Sequence, residues 1–560
     1  MNVFRWFADE LYPKILELLF PDSKMMMQIR ESWGKPIEKV DWHADRYFRF
    51  AAPNQNEVIV DDKTWKDLEF PRIFADASGT VSSIGAQVLY RQMRVPSSSI
   101  DELASRHKLH LDIQSNIRLR EALQKQLLVL RKNDSAWVSE YLFAKLSPLP
   151  SWRLKINVWG ILSFIVPAIL FLLQWPIWPW FLILLINVVV LVRIALSGRV
   201  SRDIDILQSC LRLGMVADNL SAIDDSLLDG NSSSVALQIA KLRDERMNRD
   251  ELRKSLLFLW LLKLPIIKIV SRLLNVAVLF ELNAHMGAMR RFALLRSNLS
   301  ESFKLVGEID AAIGVASWLT FRPGHCFPEL VVNRKLRIEK GRHPLLEGEQ
   351  VVNSIFLSDR SVLVTGSNMA GKTTFIKMLG INSILAQTLG FCFASAATIP
   401  FSDVKASIHT EHSVEKGLSH YMSETQRIKS FLNRSLPNTW NIFVLDELFS
   451  GTNTTERIAI AQAVLRALSL DALVLATTHD VELQNILDGH YDFYYFQEDP
   501  DVDGFFDYQL RPGKTSARNA IRLLAELDFP SQIISDAQAF VNGALQETLI
   551  LPCGSLNPTV

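Results

Sequence analysis

The sequence predicts a mainly parallel α/β domain at the C-terminal end of the chain, preceded by an all-α region that a two-helix transmembrane hairpin interrupts. Three observations predict it. After RPGHCFPEL, short β-rich runs (SVLVT, NIFVLDE, LVLATTHD, FYYFQ) alternate with helical stretches, the pattern of parallel strands joined by crossover helices. Before it, helical periodicity dominates, as in IRLREALQKQLLVLRK and AKLRDERMNRDELRK. Within the helical part, no charged residue occurs between Lys155 and Arg193.

The uncharged stretch has two arms, INVWGILSFIVPAILFLL and FLILLINVVVLV, joined by QWPIWPW. With the connector shared, each arm reaches roughly the 20 residues that span hydrocarbon, and a Trp/Pro turn suits the headgroup level. Arg153 and Lys155 precede the pair; Arg193, Arg199 and Arg202 follow it. Positive residues on both flanks place the N- and C-terminal portions in the cytoplasm. A second apolar region, Leu256 to Leu282, is interrupted by Lys263, Lys268, Arg272 and Glu281 about a helical turn apart, and reads as amphipathic helices packed within the protein, with a further membrane hairpin as the alternative. The N-terminal MNVFRWFADELYPKILELLF has acids inside its apolar stretch and no small-residue cleavage site, so an amphipathic helix is expected there and not a cleaved signal.

Composition sets further bounds. Sixty Lys+Arg balance sixty Asp+Glu among 560 residues, so any attraction to nucleic acid or anionic lipid is local. The cysteines, Cys210, Cys326, Cys392 and Cys553, form neither a CxxC pair nor a His/Cys ligand cluster, which points to reduced thiols without a disulfide framework or structural zinc. The expected organisation is an N-terminal segment over 1–70, a first helical part over 71–150, the hairpin over 156–196, a second helical part over 199–325, the α/β domain over 326–545 and a tail over 546–560.

The chemistry concentrates in the α/β domain. TGSNMAGKTT follows the strand-like Ser361-Val362-Leu363-Val364 and opens the helical FIKMLGINSILAQTL, so Gly366, Gly371, Lys372 and Thr373 satisfy GxxxxGK[ST] in the strand-to-helix setting that this motif needs. Gly366, Ser367, Asn368, Met369, Ala370, Gly371, Lys372, Thr373 and Thr374 are the expected phosphate cradle, with backbone N–H groups and a helix N-terminus turned to the anion. Lys372 supplies a cation to the β- and γ-phosphates, and the Thr373 hydroxyl can ligate Mg²⁺. NIFVLDEL ends an apolar strand in Asp446, suited to orient the metal, and Glu447, suited to take a proton from water. LVLATTHD ends another in His479, placed to sense the γ-phosphate or the attacking water.

Together these segments resemble the MutS-type ATPases, the ATP-driven DNA mismatch repair proteins related to the ABC class. TGSNMAGKTT is similar to their TGxNMxGKST segment, and KGRHPLLE to the (G/A)RHP segment before it. GLSHYMSE resembles the S-x-F-M-x-E signature loop through Ser419, Met422 and Glu424. DELFSGTNTTE matches through Asp446, Glu447, Gly451 and Thr452, ATTHD through His479, and TVSSIGAQVLYRQMRVP resembles the opening of the MutS helical core. The resemblance implies ATP and Mg²⁺ as cofactors, a dimer closing through the nucleotide domains, Ser419 facing the γ-phosphate bound by the partner, Asn368 completing the shell in its own subunit, and helical lever arms driven by closure. It also suggests an aromatic beside the adenine, for which Phe356 is the candidate.

Departures from the family bear on function. The chain before Thr80 is too short for the mismatch-binding domain with its Phe-x-Glu wedge, and the literal Phe327-Pro328-Glu329 lies beside the α/β domain instead. The hairpin also interrupts the helical core where relatives extend levers and a DNA clamp. Basic runs at Arg118 to Lys132, Lys241 to Lys254 and Arg290-Arg291 with Arg296 could contact DNA, but Glu121, Asp244, Glu245 and Glu251 make solvated helix faces the better reading. Two functions stay open: a membrane-anchored, ATP-gated protein acting on DNA without wedge-type mismatch recognition, or a membrane ATPase acting on a protein or lipid partner.

Overall fold

The computed structural model describes residues 23–36, 43–51, 57–131, 133–145, 153–174, 176, 178–197, 199–228, 233–244, 279–367, 370–408, 420–432, 439–497, 506–515 and 529–548. Two compact units emerge: residues 1–61, 69–328 and 384–392 form a helical unit, and 62–68, 329–383 and 393–560 form an α/β unit. The expected N-terminal amphipathic helix, and Leu256 to Leu282 apart from its last residues, fall outside the described residues.

In the helical unit the axis is a 42-residue helix, Phe280–Phe321. Its C-terminal half is apolar on most sides, with Phe303, Val306, Ile309, Ile313, Val315 and Trp318 fully buried. Three helices of this unit start at residues that supply their own caps. Ser82 accepts from Gly85 N–H ahead of Ser83–Arg94, Ser99 from Glu102 N–H ahead of Ile100–Ser115, and Asn116 from Leu119 N–H ahead of Ile117–Leu127. The first of these starts is doubly held: buried Asp310, on the long helix, accepts from Val81 N–H at 2.7 Å, Ser82 N–H at 2.9 Å and the Ser82 hydroxyl at 2.6 Å. Burial pushes the Asp310 carboxyl up to about 6 against the pull of these donors.

Two 20-residue helices, Arg153–Leu172 and Trp178–Ser197, form where the apolar hairpin is expected. The Trp159 indole N–H donates to Asn187 Oδ1 at 2.8 Å across the pair, which satisfies the fully buried Asn187 inside an otherwise apolar contact. Phe171, Leu172, Trp178, Phe181, Leu182 and Leu185 point outward and exposed. Counted over the described residues, no helix is long and apolar enough to cross a membrane. A helical hairpin is thus present where the apolar stretch stands.

Among the described residues, the α/β unit contains ten strands in two sheets. The six-stranded sheet has the order β10-β9-β4-β8-β7-β6, built from β4 (Ser361–Thr365), β6 (Ser402–Ser407), β7 (Trp440–Asp446), β8 (Ala472–Thr478), β9 (Tyr491–Tyr495) and β10 (Arg511–Pro512). All of its pairs are parallel except β10 with β9. Every residue of β4 and β8 is buried, which is why these segments read as continuous apolar runs without alternation. The four-stranded sheet, in the order β1-β5-β2-β3, uses β1 (Glu329–Val331), β2 (Lys335–Gly341), β3 (Asn353–Ser358) and β5 (Ala396–Pro400). It is mixed: β1 runs parallel to β5, while β2 is antiparallel to both β3 and β5. The expectation of a mainly parallel sheet therefore describes the larger sheet alone.

Residues 62–68 join this unit although they belong to the N-terminal part of the sequence. Ala406 N–H donates to the Thr64 hydroxyl and Ile408 N–H to Asp67 Oδ2, each at 3.0 Å, so a short helix, Asp62–Asp67, covers the edge strand β6.

Candidate nucleotide-binding site

Strand β4 lies inside the large sheet between β8 and β9, in register Thr365 with Thr478 and with Tyr495. Its C-terminal end is thereby fixed before the chain turns. At Gly366, φ is +145°, and a Cβ there would stand 2.7 Å from the Phe496 carbonyl oxygen. Gly371 has φ +99°, and the helix Lys372–Thr388 begins at the next residue. Both backbone angles favour glycine, and the loop between them delivers a free helix N-terminus to the end of the sheet. Ser367 and Ala370 line this loop; Asn368 and Met369 lie outside the described residues.

Lys372 is nearly fully buried and donates to the Ser367 carbonyl oxygen at 2.8 Å, so its ammonium folds back across the loop. Burial lowers its pKa, while the carboxylates of Glu447 and Asp446 act in the opposite sense. The Thr373 hydroxyl lies 2.9 Å and 3.0 Å from the two carboxylate oxygens of Asp446. Thr477, paired with Asp446 across β7 and β8, donates to Asp446 Oδ1 at 2.5 Å. A hydroxyl and a carboxylate held together beside a phosphate-binding loop are the oxygen donors that Mg²⁺ takes when it also binds phosphate, so Thr373 and Asp446 fit that ion. Thr374 follows on the first helical turn.

Glu447 directly follows β7 in the left-handed region, with φ +48°, and Phe449 repeats this at φ +59°. Backbone strain of this kind persists where the surroundings enforce it. Buried Glu424 enforces it here by accepting from Phe449 N–H at 2.8 Å. The strained turn aims Glu447 at His479: Oε1 and Nε2 are 2.5 Å apart, and the opposite ring nitrogen of His479 lies 3.0 Å from the Gly366 carbonyl oxygen. His479 thus links the carboxylate that could activate water to the first glycine of the phosphate loop. Beside it, Asp480 accepts a two-pronged hydrogen bond from Arg457 at 2.9 Å and 2.6 Å, which ties the end of β8 to the helix Thr454–Asp471.

The residues predicted from Gly366 to Thr374 that are described, with Asp446, Glu447 and His479, converge at the C-terminal ends of β4, β7 and β8. Ser419 lies outside the described residues; Met422 is exposed on the helix His420–Phe431. Phe356 is half-exposed on β3, with the Lys335 ammonium 5.5 Å over its ring, and no described contact brings it to the loop. An aromatic does stand there: Tyr508 Cδ1 is 3.3 Å from the position of a Cβ on Gly371. Tyr508 has φ +52°, and its carbonyl accepts from Asn353 Nδ2 at 3.0 Å while Leu510 N–H donates to Asn353 Oδ1 at 2.8 Å. Sequence reading missed it because its segment, FFDYQL, follows the last parallel strand without any phosphate-binding signature. Gln484 was missed too; its amide donates to the Thr365 hydroxyl at 3.0 Å and accepts from Thr515 N–H at 3.1 Å, bracing the end of β4.

A parallel sheet whose central strand ends in a glycine loop and helix, flanked by strand-end Asp446, Glu447 and His479, defines a P-loop nucleotide-binding domain. Residues 362–544 match the family described as MutS domain V. The DNA mismatch repair protein MutS of Aquifex pyrophilus is 29% identical over 42% of this chain and 28% of its own length. The Thermus aquaticus protein of the same description is 29% identical over 43% of this chain and 30% of its own. Endonuclease MutS2 of Clostridioides difficile is 30% identical over 56% of this chain and 38% of its own length. The chain therefore spans about a third of the length of the curated relatives that it matches.

Proposed function

We propose that the chain is a membrane-anchored MutS-type ATPase that binds and hydrolyses ATP with Mg²⁺ in a site shared between two subunits. The observation that supports this best is the contact set joining Lys372, Thr373, Asp446, Glu447 and His479 around one helix N-terminus. In this reading the loop amides and Lys372 hold the phosphates and Thr373 with Asp446 holds the metal, which when bound neutralises phosphate charge. Glu447 takes the proton of the attacking water, and His479 keeps that carboxylate aligned with the loop. Tyr508, against Gly371, is the aromatic best placed to meet the base. Ser419 reaches the partner's γ-phosphate, and closure of the dimer moves the helical arms.

The relatives' descriptions as DNA mismatch repair proteins favour DNA as the load. The exposed apolar surface of the hairpin favours lipid as the surroundings of Arg153–Leu172 and Trp178–Ser197, with both soluble portions on the cytoplasmic side. That surface also keeps the second reading open, a membrane ATPase moving a protein or lipid partner.

One experiment separates them. Detergent-solubilised protein is titrated with duplex DNA over a range of salt, with and without ATP. Binding that strengthens at low salt and responds to ATP supports the DNA reading. Absence of binding even at low salt, beside intact ATP turnover, leaves the second. Absence of ATP binding altogether overturns both.

A further inference from the structure

Cys326 and Cys392 are far apart in sequence, yet the helical unit brings them face to face. Each donates its backbone N–H to the other's carbonyl oxygen at 2.9 Å, forming an isolated antiparallel bridge between the chain ahead of β1 and the chain after the helix Lys372–Thr388. In such a reciprocally bonded pair the Cα atoms are about 5.5 Å apart and the side chains leave the ribbon on the same side. That spacing lies within the roughly 4.4–6.8 Å that a disulfide requires. Both cysteines are reduced; Cys392 is fully buried and Cys326 half-buried. The two thiols also sense each other electrostatically, since a charge on Cys326 raises the pKa of Cys392.

We infer that Cys326 and Cys392 form a reversible redox clasp, a modification site at which a peroxide oxidant converts the hydrogen-bonded bridge into a covalent one. The half-exposed Cys326 reacts first. Its thiolate attacks one peroxide oxygen, the O–O bond breaks, hydroxide leaves and takes up a proton, and Cys326 becomes a sulfenic acid. The Cys392 thiolate then attacks that sulfur, the S–O bond breaks, and a second water departs after protonation. Two thiols lose two electrons and peroxide becomes two waters. Cross-strand bridges within reach of solvent are the labile, reversible kind, so a dithiol returns the clasp to its open form.

Burial holds both thiols protonated, pushing Cys326 up to about 11 and Cys392 well above the usual thiol range. Closure is accordingly slow at neutral pH, and its rate rises about tenfold per pH unit between about pH 7 and 9 because the thiolate is the nucleophile. Cys210, fully buried with its pKa pushed up, is the internal control that stays unmodified.

The test uses the full chain in detergent, oxidised with hydrogen peroxide under native conditions, alkylated and digested for mass spectrometry. The expected product is a peptide pair joined through Cys326 and Cys392, formed faster at higher pH, dissolved by dithiothreitol and absent from Cys326→Ser. Recovery of Cys326 only as an over-oxidised monothiol with Cys392 still alkylatable overturns the inference. So does a linkage that forms only after denaturation, or a protein that stays fully reduced across the pH range.

Discussion

Glu447 shows how a single residue can be both strained and useful. Its left-handed backbone costs on the order of 1–3 kcal/mol, yet it sets the carboxylate against His479 Nε2. Glu447→Gln keeps the shape and removes the base, so ATP turnover falls by roughly 10²–10⁴-fold while ATP still binds; single-turnover assays with radiolabelled ATP check this, and an unchanged rate removes the assignment. His479→Ala leaves Glu447 without the partner that ties it to Gly366. Its expected effect is a loss of turnover with little change in nucleotide affinity. Tyr508→Ala works the other way: ATP affinity drops by about 1 kcal/mol, whereas tripolyphosphate, which has no base, binds as before. Calorimetric titration of both ligands distinguishes a contact to the nucleoside from a general disturbance of the loop.

At the scale of elements, two helix starts illustrate what the sequence reveals and what it hides. The helix Ser83–Arg94 is legible from TVSSIGAQ because Ser82 caps it locally, but the second anchor, Asp310, comes from more than two hundred residues away and has no local signature. Asp310→Ala leaves the Val81 and Ser82 donors without their acceptor, and about 1–3 kcal/mol of stability is lost, readable as a shifted denaturant midpoint. Strands β4, β7 and β8 were legible for the opposite reason: each is buried on both faces and ends in a residue with chemistry to do, Thr365, Asp446 or Thr478 before His479. The mixed sheet was not, since β2 alternates in burial and pairs with β5, which lies beyond the whole phosphate loop. Tyr508 and the edge-covering helix Asp62–Asp67 were equally hidden, because their partners are fixed only by the tertiary fold.

A histidine group, buried at His110 and half-buried at His107 and His325, adds a pH dependence at this same scale. His107, His110 and His325 surround the Phe391 ring, with Trp318 on another side and Arg106 adding to the depression of His110. Burial depresses all three, His107 to about 4. Their folded-state values lie below the unfolded value near 6.5, so the unfolded chain takes up protons first as pH falls. The contribution is complete above about pH 6.5 and is lost between there and about pH 4. Thermal melts at about pH 7.5 and about pH 5 should show a large drop in wild type and a smaller one in His110→Leu, which has nothing to protonate. An equal drop in both would place the acid sensitivity elsewhere.

For the whole molecule, the decisive physical question is which solvent the hairpin meets. Val158, Leu162, Ile165 and Ile169 on one helix and Leu182, Leu185, Val189 and Val192 on the other are all exposed, and Phe171 and Leu172 at the end of the first helix are 79% and 78% exposed. Water is a costly neighbour for such a surface, because each Leu or Ile left in it forgoes about 1.5–3 kcal/mol of burial. The balanced total of sixty basic and sixty acidic residues offers no global electrostatic route to a membrane, so any anchoring rests on this apolar surface. The protein is therefore expected to stay in the membrane pellet through high salt and alkaline carbonate, and to leave it only with detergent. Replacing Leu162, Ile165, Ile169, Leu182, Leu185 and Val189 together by Ser should move it to the supernatant with ATP turnover intact, since all six are exposed on the hairpin helices and none belongs to the nucleotide-site residues. If salt or carbonate alone releases the wild-type chain, the hairpin meets a protein partner in place of lipid, and a search for that partner replaces the membrane anchor in the functional picture.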